Sequence, residues 1–459
     1  MMPLTELLEK TVDCLSVCFE KPSALYTSSE GLLFFVSNVE ESLRMLEPKR
    51  GVVLCGWKHG QNFEMAVSDV SEQSLLEAVR VMGNMAGLAV PEAFSEKSPS
   101  REKKEFATQV QIPFQSVSIQ EKFRLCRSLC TYPVQKDRLV TNATAILKEE
   151  ETEEIFVDTG KVMCQQISRV DTLLYLWMKD KDECFQIWDG ESLSAGFEGA
   201  GIAHDRIDKI IEDGKRLLHA PRLEPGFYDC IVTPQVAGML AHEAFGHGME
   251  TDLFLQGRSR AQLFMRKSVG SELVNMTDNP AYSDSTTLFF FDHAGFEAVP
   301  TPIMRNGILV QGLTDYYSYI KLGLDKQTPN TRRESYERKA YARMTNTYFE
   351  AGKDEVKDMI ASVKSGFLIR YPTNGMEDPK QWGIQIEALM AEEIKNGCLT
   401  GKVYSPVIIT GYVPDVLNSI SMVSKEFAVS TLGMCGKGHK EWVKVHDGGP
   451  WLKLRVRLG

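Results

Sequence analysis

The stretch HEAFGH, residues 242 to 247, sets two histidines five positions apart with a glutamate beside the first. Zinc proteases with the H-E-x-x-H pattern set their histidines four positions apart, so that both imidazoles lie on one helix face. Five residues of an ideal helix sweep about 500°, which would turn the two imidazoles about 140° apart. His242 and His247 can therefore bind one ion only if the helix is not ideal between them. Otherwise His242 is a core histidine and His247 a cation at a helix end, where the helix dipole favours positive charge.

The residues around the motif allow such a departure. Thr233 and Pro234 are typical of an N-cap and a first helical residue, so a helix is expected to begin there and to carry the motif. Gly246 and Gly248 flank His247, and glycine is where a helix can bulge or end. A π-type turn of about 4.4 residues would bring the two imidazoles within about 50° of each other. Alternatively, His247 lies in a final, broken turn.

Composition indicates a globular protein and argues against two classes of partner. The chain has 459 residues, 43% of them hydrophobic and 25% charged, which suggests two or three folded domains. Its net charge of -10 gives no general attraction to nucleic acid. No apolar run approaches the roughly 20 residues of a membrane span, and the start of the chain lacks the features of a signal peptide. We therefore expect a cytoplasmic protein without nucleic-acid or membrane partners, whose ten cysteines are free thiols.

The first half of the chain has the pattern of a mixed α and β domain. Residues 1–95 alternate helical and strand-like stretches, and residues 139–160 and 172–188 are typical of antiparallel hairpins. Like charges repel and stay solvated, so we expect the acidic run 149–154 at a hairpin turn.

Proline and glycine in the stretch APRLEPGFYDC predict a domain boundary near residue 224. The second half then opens with a short apolar strand, YDCIV, followed by the helix that carries the motif. The predicted fold class is α+β, with an N-terminal domain of residues 1–224 and a C-terminal domain of residues 225–459.

Five further polar residues are candidates for the site. Glu250 and Asp252 could accept hydrogen bonds from the ring N–H groups of the two histidines, or they could be surface acids. Arg343, Thr345 and Asn346 could bind a substrate backbone or carboxylate, or they could form a structural turn.

At this point the residues resemble a known family. The stretch HEAFGHGMETD is similar to the signature of the TldD/PmbA metallopeptidases, a group once labelled modulators of DNA gyrase. LGLDKQTPNTRRESY, ARMTNTYFEAG, IASVKSGFLI and LGMCGKG are similar to later family blocks in the same order. The family pairs a member that has the full metal motif with a sister chain that lacks it, and this chain looks like the metal-binding, TldD-like type.

The resemblance implies a zinc peptidase with an N-terminal α+β domain and a C-terminal catalytic domain rich in antiparallel strands. It implies that His242, His247 and Cys435 bind zinc and that Glu243 is catalytic. It also implies flexible or unfolded peptides as substrates, and a homodimer or a heterodimer with the sister chain. Residues 371–386 depart from the glycine-rich stretch that relatives carry there.

The chemistry of the residues agrees with a catalytic zinc site, which takes three protein ligands and keeps a fourth position open. Glu243 could then take a proton from the attacking water and return it to the leaving amine. Strands in TTLFFFD and GILVQG could offer an edge to an extended peptide. One alternative is a non-catalytic peptide-binding or structural partner with a structural zinc, and another is a regulator linked to nucleic acid.

Three residues near the C-terminus could supply the third ligand. Cys435 offers a thiolate, the stronger zinc donor, and Gly433 and Gly436 beside it would let the backbone approach the motif helix. His439 lies among charged residues that are typical of a solvated surface, and His446 follows a few residues later. The family resemblance also favours Cys435, which is therefore the predicted ligand.

Overall fold

The computed structural model has the α+β fold that the sequence predicts. It describes residues 2–91, 93–95, 98–283, 285–429, 433–438 and 441–459. Among these residues, none of the helices combines the length and the apolar character that a membrane span requires.

The first half forms one eight-stranded sheet with helices on one face. Its helices are α1 (Leu4–Ser16), α2 (Glu72–Met85), α3 (Ile119–Lys136) and α4 (His204–Leu217). Its strands are β1 (Glu20–Ser37), β2 (Glu41–Met45), β3 (Lys49–Lys58), β4 (Gln61–Val67), β5 (Glu102–Ala107), β6 (Val140–Asp158), β7 (Lys161–Asp180) and β8 (Glu183–Leu193).

The strand order of this sheet is β4-β3-β1-β6-β7-β5, with β2 beside β1 and β8 beside β7. The hairpin predicted in residues 172–188 is confirmed, since β7 and β8 pair antiparallel there. The one predicted within residues 139–160 is wrong, because β6 is a single strand that pairs with β7. The face that the helices leave free contacts the second half, where Phe291 packs against Leu25, Phe156 and Met163.

The acidic run 149–154 was predicted at a hairpin turn, and that prediction is wrong. The run lies inside β6, and the chain turns only after Asp158. Tertiary partners explain the difference, since the buried carboxylate of Glu149 accepts a hydrogen bond from Lys122 on α3 at 2.8 Å. Glu154 is also buried and accepts one from Gln165 on β7 at 2.6 Å.

Within the described residues, the second half forms an eleven-stranded sheet, part of which closes into a ring, and two separate two-stranded sheets. Its strands are β9 (Gly226–Val232), β10 (Met276–Asp278), β11 (Thr301–Arg305), β12 (Ile308–Leu309), β13 (Thr331–Arg332), β14 (Tyr341–Ala342), β15 (Asn346–Phe349), β16 (Ser365–Asp378), β17 (Gly383–Lys395), β18 (Cys398–Tyr404), β19 (Val407–Tyr412), β20 (Met422–Val429), β21 (Met434–Lys437), β22 (Glu441–Lys444) and β23 (His446–Leu458). Its helices are α5 (Pro234–Ala241), α6 (Thr251–Leu255), α7 (Tyr316–Leu322), α8 (Val356–Ala361) and α9 (Val413–Asn418).

The ring runs β23-β19-β17-β16-β9 and closes because β9 pairs with both β16 and β23. Most of its pairs are antiparallel, as expected. Each of the two large sheets is drawn from a separate stretch of the chain, residues 20–193 and 226–458. The domain boundary near residue 224 stays a prediction.

The stretch 286–292, TTLFFFD, is not the strand that the sequence suggests. It forms turns and bends, and only Phe291 makes an isolated bridge, to Glu297. Arg169 explains this conformation, because its guanidinium donates hydrogen bonds to the carbonyls of Thr286 and Leu288. An added peptide strand would need those carbonyls as its own hydrogen-bond acceptors. The other suggested edge, β12, does lie at the end of the sheet.

Helix α5 begins at Pro234 as predicted, although the side chain of Thr233 makes no capping hydrogen bond. Its apolar face is buried in the largest core of the second half. The helix approaches β23 so closely that a methyl group at Gly238 would come within 2.5 Å of the amide nitrogen of Gly448. Helix α5 is thereby fixed against the start of β23.

Replacing Gly238 with alanine should separate α5 from β23. Overpacking of this kind costs about 1 to 3 kcal/mol, so the melting temperature of Gly238→Ala should fall by several degrees. Gly383→Ala is the matched control, because nothing lies within 4 Å of the position of its added methyl group. Thermal melting that is equal for the two variants would contradict this close contact.

Candidate metal centre

The helix that carries the motif is not ideal at the motif. Residues His242–Gly246 form a π-helical turn, followed by a 3-10 turn over His247–Met249. The N–H of His247 donates to the carbonyl of His242, five residues back. The two imidazole centroids are 4.8 Å apart. Of the two alternatives that the sequence left open, a π-type turn and a broken last turn, the structure has the π-type turn.

Gly246 permits this turn because of what packs against it. A methyl group at residue 246 would come within 2.1 Å of the sulfur of Met344. Its φ is -65°, which any residue adopts, so the requirement is space rather than a left-handed backbone. The sequence names Gly246 and Gly248 as the residues that could permit this turn. The packing of Met344 gives the reason why residue 246 must be a glycine.

Cys435 on β21 joins the two histidines. Its Sγ lies 3.3 Å from Nε2 of His247, and the possible ligand atoms of the three residues lie within 4.8 Å of one another. Sulfur and nitrogen ligands of a tetrahedral zinc ion lie roughly 3.5 Å apart, given the usual bond lengths. Within the part of the chain that the structure describes, this is the one group of three or more such residues close enough to hold a metal ion. Its donor set fits zinc.

Two carboxylates orient the imidazoles. Nδ1 of His242 lies 3.0 Å from Asp447, and Nδ1 of His247 lies 3.0 Å from Glu250. Nε2 of each ring is thus left to face the cluster, an arrangement typical of metal-binding histidines. Glu250 is one of the two acids considered from the sequence. Asp252, the other acid considered, does not contact His242, whose partner is Asp447.

Asp447 is a functional candidate that sequence reasoning missed, because it lies 205 residues from His242. Its position depends on the contact between Gly238 of α5 and the start of β23. The sequence signal was the pair of glycines that follows it, Gly448 and Gly449, which is typical of a close approach between backbones.

The charges of the site favour a thiolate beside two imidazolium cations, and each histidine must release its proton before it can bind a metal. Burial raises the pKa of Cys435, but the neighbouring His247 and His242 outweigh it and hold the pKa well below the usual thiol range. Burial lowers the pKa of His242, but Asp447 and Cys435 outweigh it and the pKa is raised. The pKa of His247 is raised in the same way, by Cys435 and Glu250. The thiolate is the form in which cysteine binds metals.

Buried cations join the cysteine strand to the motif. Nζ of Lys437, two residues after Cys435, donates to Glu250 at 2.9 Å and to Asp252 at 2.7 Å. Arg343 donates to the carbonyl of Cys435 at 2.6 Å. Asp252 thus acts on Lys437 rather than on a histidine, and Arg343 holds a backbone rather than a substrate.

The other candidates lie apart from the cluster. Thr345 donates to Asp278 at 2.8 Å, and Asn346 accepts from Thr287 at 2.7 Å, so both support buried structure. His446 is buried against Ser285, 2.9 Å away. His439 lies outside the described residues.

Glu243 lines a cavity of about 1910 Å³ together with the two histidines and the cysteine. Burial raises the pKa of its carboxyl, while His242 and His247 oppose the shift. A methyl group at Gly375 of β16 would come within 2.7 Å of Oε1 of Glu243, so this strand packs directly on the carboxylate.

Comparison with known proteins places this geometry in a family. The model of the PmbA/TldA metallopeptidase C-terminal domain matches residues 225–455. The chain belongs to the TldD/PmbA metallopeptidase family. Over 231 residues it is 32% identical to a zinc metalloprotease TldD homolog of Saccharolobus solfataricus, covering 50% of this chain and 51% of the relative. It is 25% identical over 432 residues to a metalloprotease TldD homolog of Haemophilus influenzae, covering 88% and 85%.

The chain spans about half the length of the first curated relatives that it matches. Solved structures share the fold of this TldD/PmbA chain over its full extent. A Thermotoga maritima protein described as a modulator of a DNA gyrase has a TM-score of 0.78 at 14% identity, covering 100% of both chains. TldE from Thermococcus kodakarensis has a TM-score of 0.73 at 16% identity, covering 99% of this chain and 100% of that one.

Removing the predicted third ligand should remove the metal. Cys435→Ala should lose bound zinc during dialysis against a mild chelator, because a thiolate is a strong zinc donor. His446→Ala should retain zinc, since that ring contacts Ser285 instead of the cluster. Zinc content measured by atomic emission checks both variants, and retention by Cys435→Ala would refute its assignment as a ligand.

Asp447→Asn should weaken zinc binding by about 10- to 100-fold, as loss of an orienting carboxylate does at other metal sites. The physical reason is that the amide cannot supply the charge that stabilises the ring N–H of His242. Competition with a coloured chelator measures the affinity. Unchanged affinity would show that Asp447 does not act on the metal through His242.

Proposed function

We propose that this chain is a zinc-dependent peptidase that hydrolyses peptide bonds in flexible or unfolded peptides. One observation carries the proposal: His242, His247 and Cys435 converge on the wall of a large cavity that Glu243 also lines. Three protein ligands and an open position are typical of catalytic zinc, whereas structural zinc has four protein ligands. The names of the relatives support the same class of reaction.

A bound zinc ion would acidify water and polarise the carbonyl of the substrate. The chain's own contribution begins with Glu243, which would take a proton from the attacking water and deliver it to the leaving amine. Burial raises the pKa of this carboxyl, which helps it to hold the proton between the two steps. Asp447 and Glu250 would meanwhile fix the two imidazoles through Nδ1.

The shape of the cavity supports a peptide as the substrate. Its volume of about 1910 Å³ exceeds the roughly 300 to 1,000 Å³ of ordinary small-molecule pockets. Trp188 and Asp189 of β8 line it together with Trp442 and Trp451 of the second half. Both halves of the chain would therefore contact a peptide segment lying across the metal.

The rival function is a non-catalytic partner that uses zinc for structure. A fourth protein ligand would favour it, and the described residues bring three donor residues together. A role linked to nucleic acid is suggested only by the description of similar solved structures as modulators of DNA gyrase. The net charge of -10 argues against such a role. The choice between a homodimer and a heterodimer with a sister chain, and the cytoplasmic location, stay predictions.

Glu243→Gln should keep the fold and about one zinc ion per chain but lose peptidase activity. The glutamine has nearly the same shape but cannot accept the proton, and loss of such a base costs about 10²- to 10⁴-fold in rate. Cleavage of an unfolded fluorogenic peptide measures the rate, and zinc content and melting temperature provide the controls. Cleavage at the parent rate would overturn the catalytic assignment.

A further inference from the structure

The stretch that departs from the family pattern forms one side of the site. Residues 371–386 run along β16, through a turn over residues 379–382, and back along β17. The turn is fixed by Trp382, whose side chain is buried against Phe245 of the motif, with ring centroids 5.5 Å apart. Arg260 also donates its N–H to the carbonyl of Pro379 at 3.0 Å. This hairpin is therefore held against the metal-binding turn.

The register of β16 directs one more carboxyl toward the site. Gly375 packs directly on the carboxylate of Glu243. Side chains two positions apart on a strand point to the same face, so Glu377 follows Gly375 on the face that covers Glu243. Glu377 lines the same cavity as His242 and His247.

Two acids of the cavity, Glu377 and Glu243, make no hydrogen bond or ion pair with the described residues, whereas Glu250 and Asp252 each bind Lys437. Oε2 of Glu377 is buried and accepts no hydrogen bond from the described residues. By contrast, Asp189 pairs with Arg206, and Asp447 lies 3.0 Å from His242. A carboxyl oxygen that is buried without a partner is costly, so a ligand that supplies a partner for Oε2 of Glu377 gains binding energy.

The surroundings of Glu377 exclude the two simplest explanations within the described residues. It is not one of the three residues whose ligand atoms lie within 4.8 Å of one another, so it does not complete the metal site. None of the ion pairs found includes it, so it is not part of a structural salt bridge. Burial, together with Glu243 and Glu250, raises the pKa of its carboxyl to about 9. A cation arriving beside it would reverse that shift.

We propose that Glu377 binds a protonated amine of the peptide substrate, supplied by a free N-terminus or by a lysine side chain close to the bond that is cut. This inference rests on the proposed peptidase function. An ammonium group is both a hydrogen-bond donor and a positive charge, which an unpaired buried carboxylate lacks. Glu377 would then set which peptides bind productively, while Glu243 carries out the proton transfers.

Binding can be tested separately from cleavage in the zinc-loaded Glu243→Gln protein. Fluorescence anisotropy would compare three labelled peptides of one unfolded sequence: free N-terminus with lysine, acetylated N-terminus with lysine, and free N-terminus with norleucine in place of lysine. One of the two changes should weaken binding about tenfold, as expected for one charge-assisted hydrogen bond, and thereby identify the source of the amine. Adding Glu377→Gln should abolish that preference while leaving zinc content unchanged.

Glu387→Gln is the matched control, because Glu387 lies opposite Asn374 in the same hairpin but outside the cavity lining. It should keep the tenfold preference. The inference is overturned if no peptide shows a preference, if the preference survives Glu377→Gln, or if Glu377→Gln loses zinc. Failure of the parent chain to cleave any of the peptides would refute the peptidase function instead, and the binding data would still decide the role of Glu377.

Discussion

The hydrogen bond from the N–H of His247 to the carbonyl of His242 is the constraint on which the site depends. It widens one turn of the helix and turns two histidines, five positions apart, toward each other. The turn is held by packing: the sulfur of Met344 occupies the space that a side chain at Gly246 would need. Two close contacts at glycine residues therefore decide the geometry of the site: that of Gly246 with Met344, and that of Gly238 with the start of β23.

A chain of buried charges then connects the ligands that come from distant parts of the sequence. Lys437 binds Glu250, which binds His247, and Lys437 lies on the same short strand as Cys435. Moving that strand would disturb both the cysteine and the orientation of a histidine. Opposite charges stabilise one another in such a low-dielectric interior, whereas loss of one member leaves an uncompensated charge. Cys435 is thus coupled to His247 even though 188 residues separate them.

The local sequence pattern was sufficient to predict the features of the structure that neighbouring residues determine. Glycines beside His247 indicated either a π-type turn or a broken last turn, and Pro234 predicted the start of α5. Pattern failed where distant partners decide the outcome. The acidic run 149–154 lies inside a strand because Lys122 and Gln165 pair with its buried members. The partner of His242 is Asp447, which no spacing rule connects to the motif, and the position of Glu377 depends on the register of β16. The metal ligands themselves stay predictions that the geometry supports.

X-ray absorption at the zinc edge of the loaded protein tests the central claim most directly, because it reports the ligand atoms of the metal itself. Two histidines and one cysteine with an open position predict one sulfur at about 2.3 Å and three nitrogen or oxygen atoms at about 2.0 to 2.1 Å. Cys435→Ala should remove the sulfur signal from any zinc that remains. Two or more sulfur atoms around the metal, or none in the parent protein, would contradict the account.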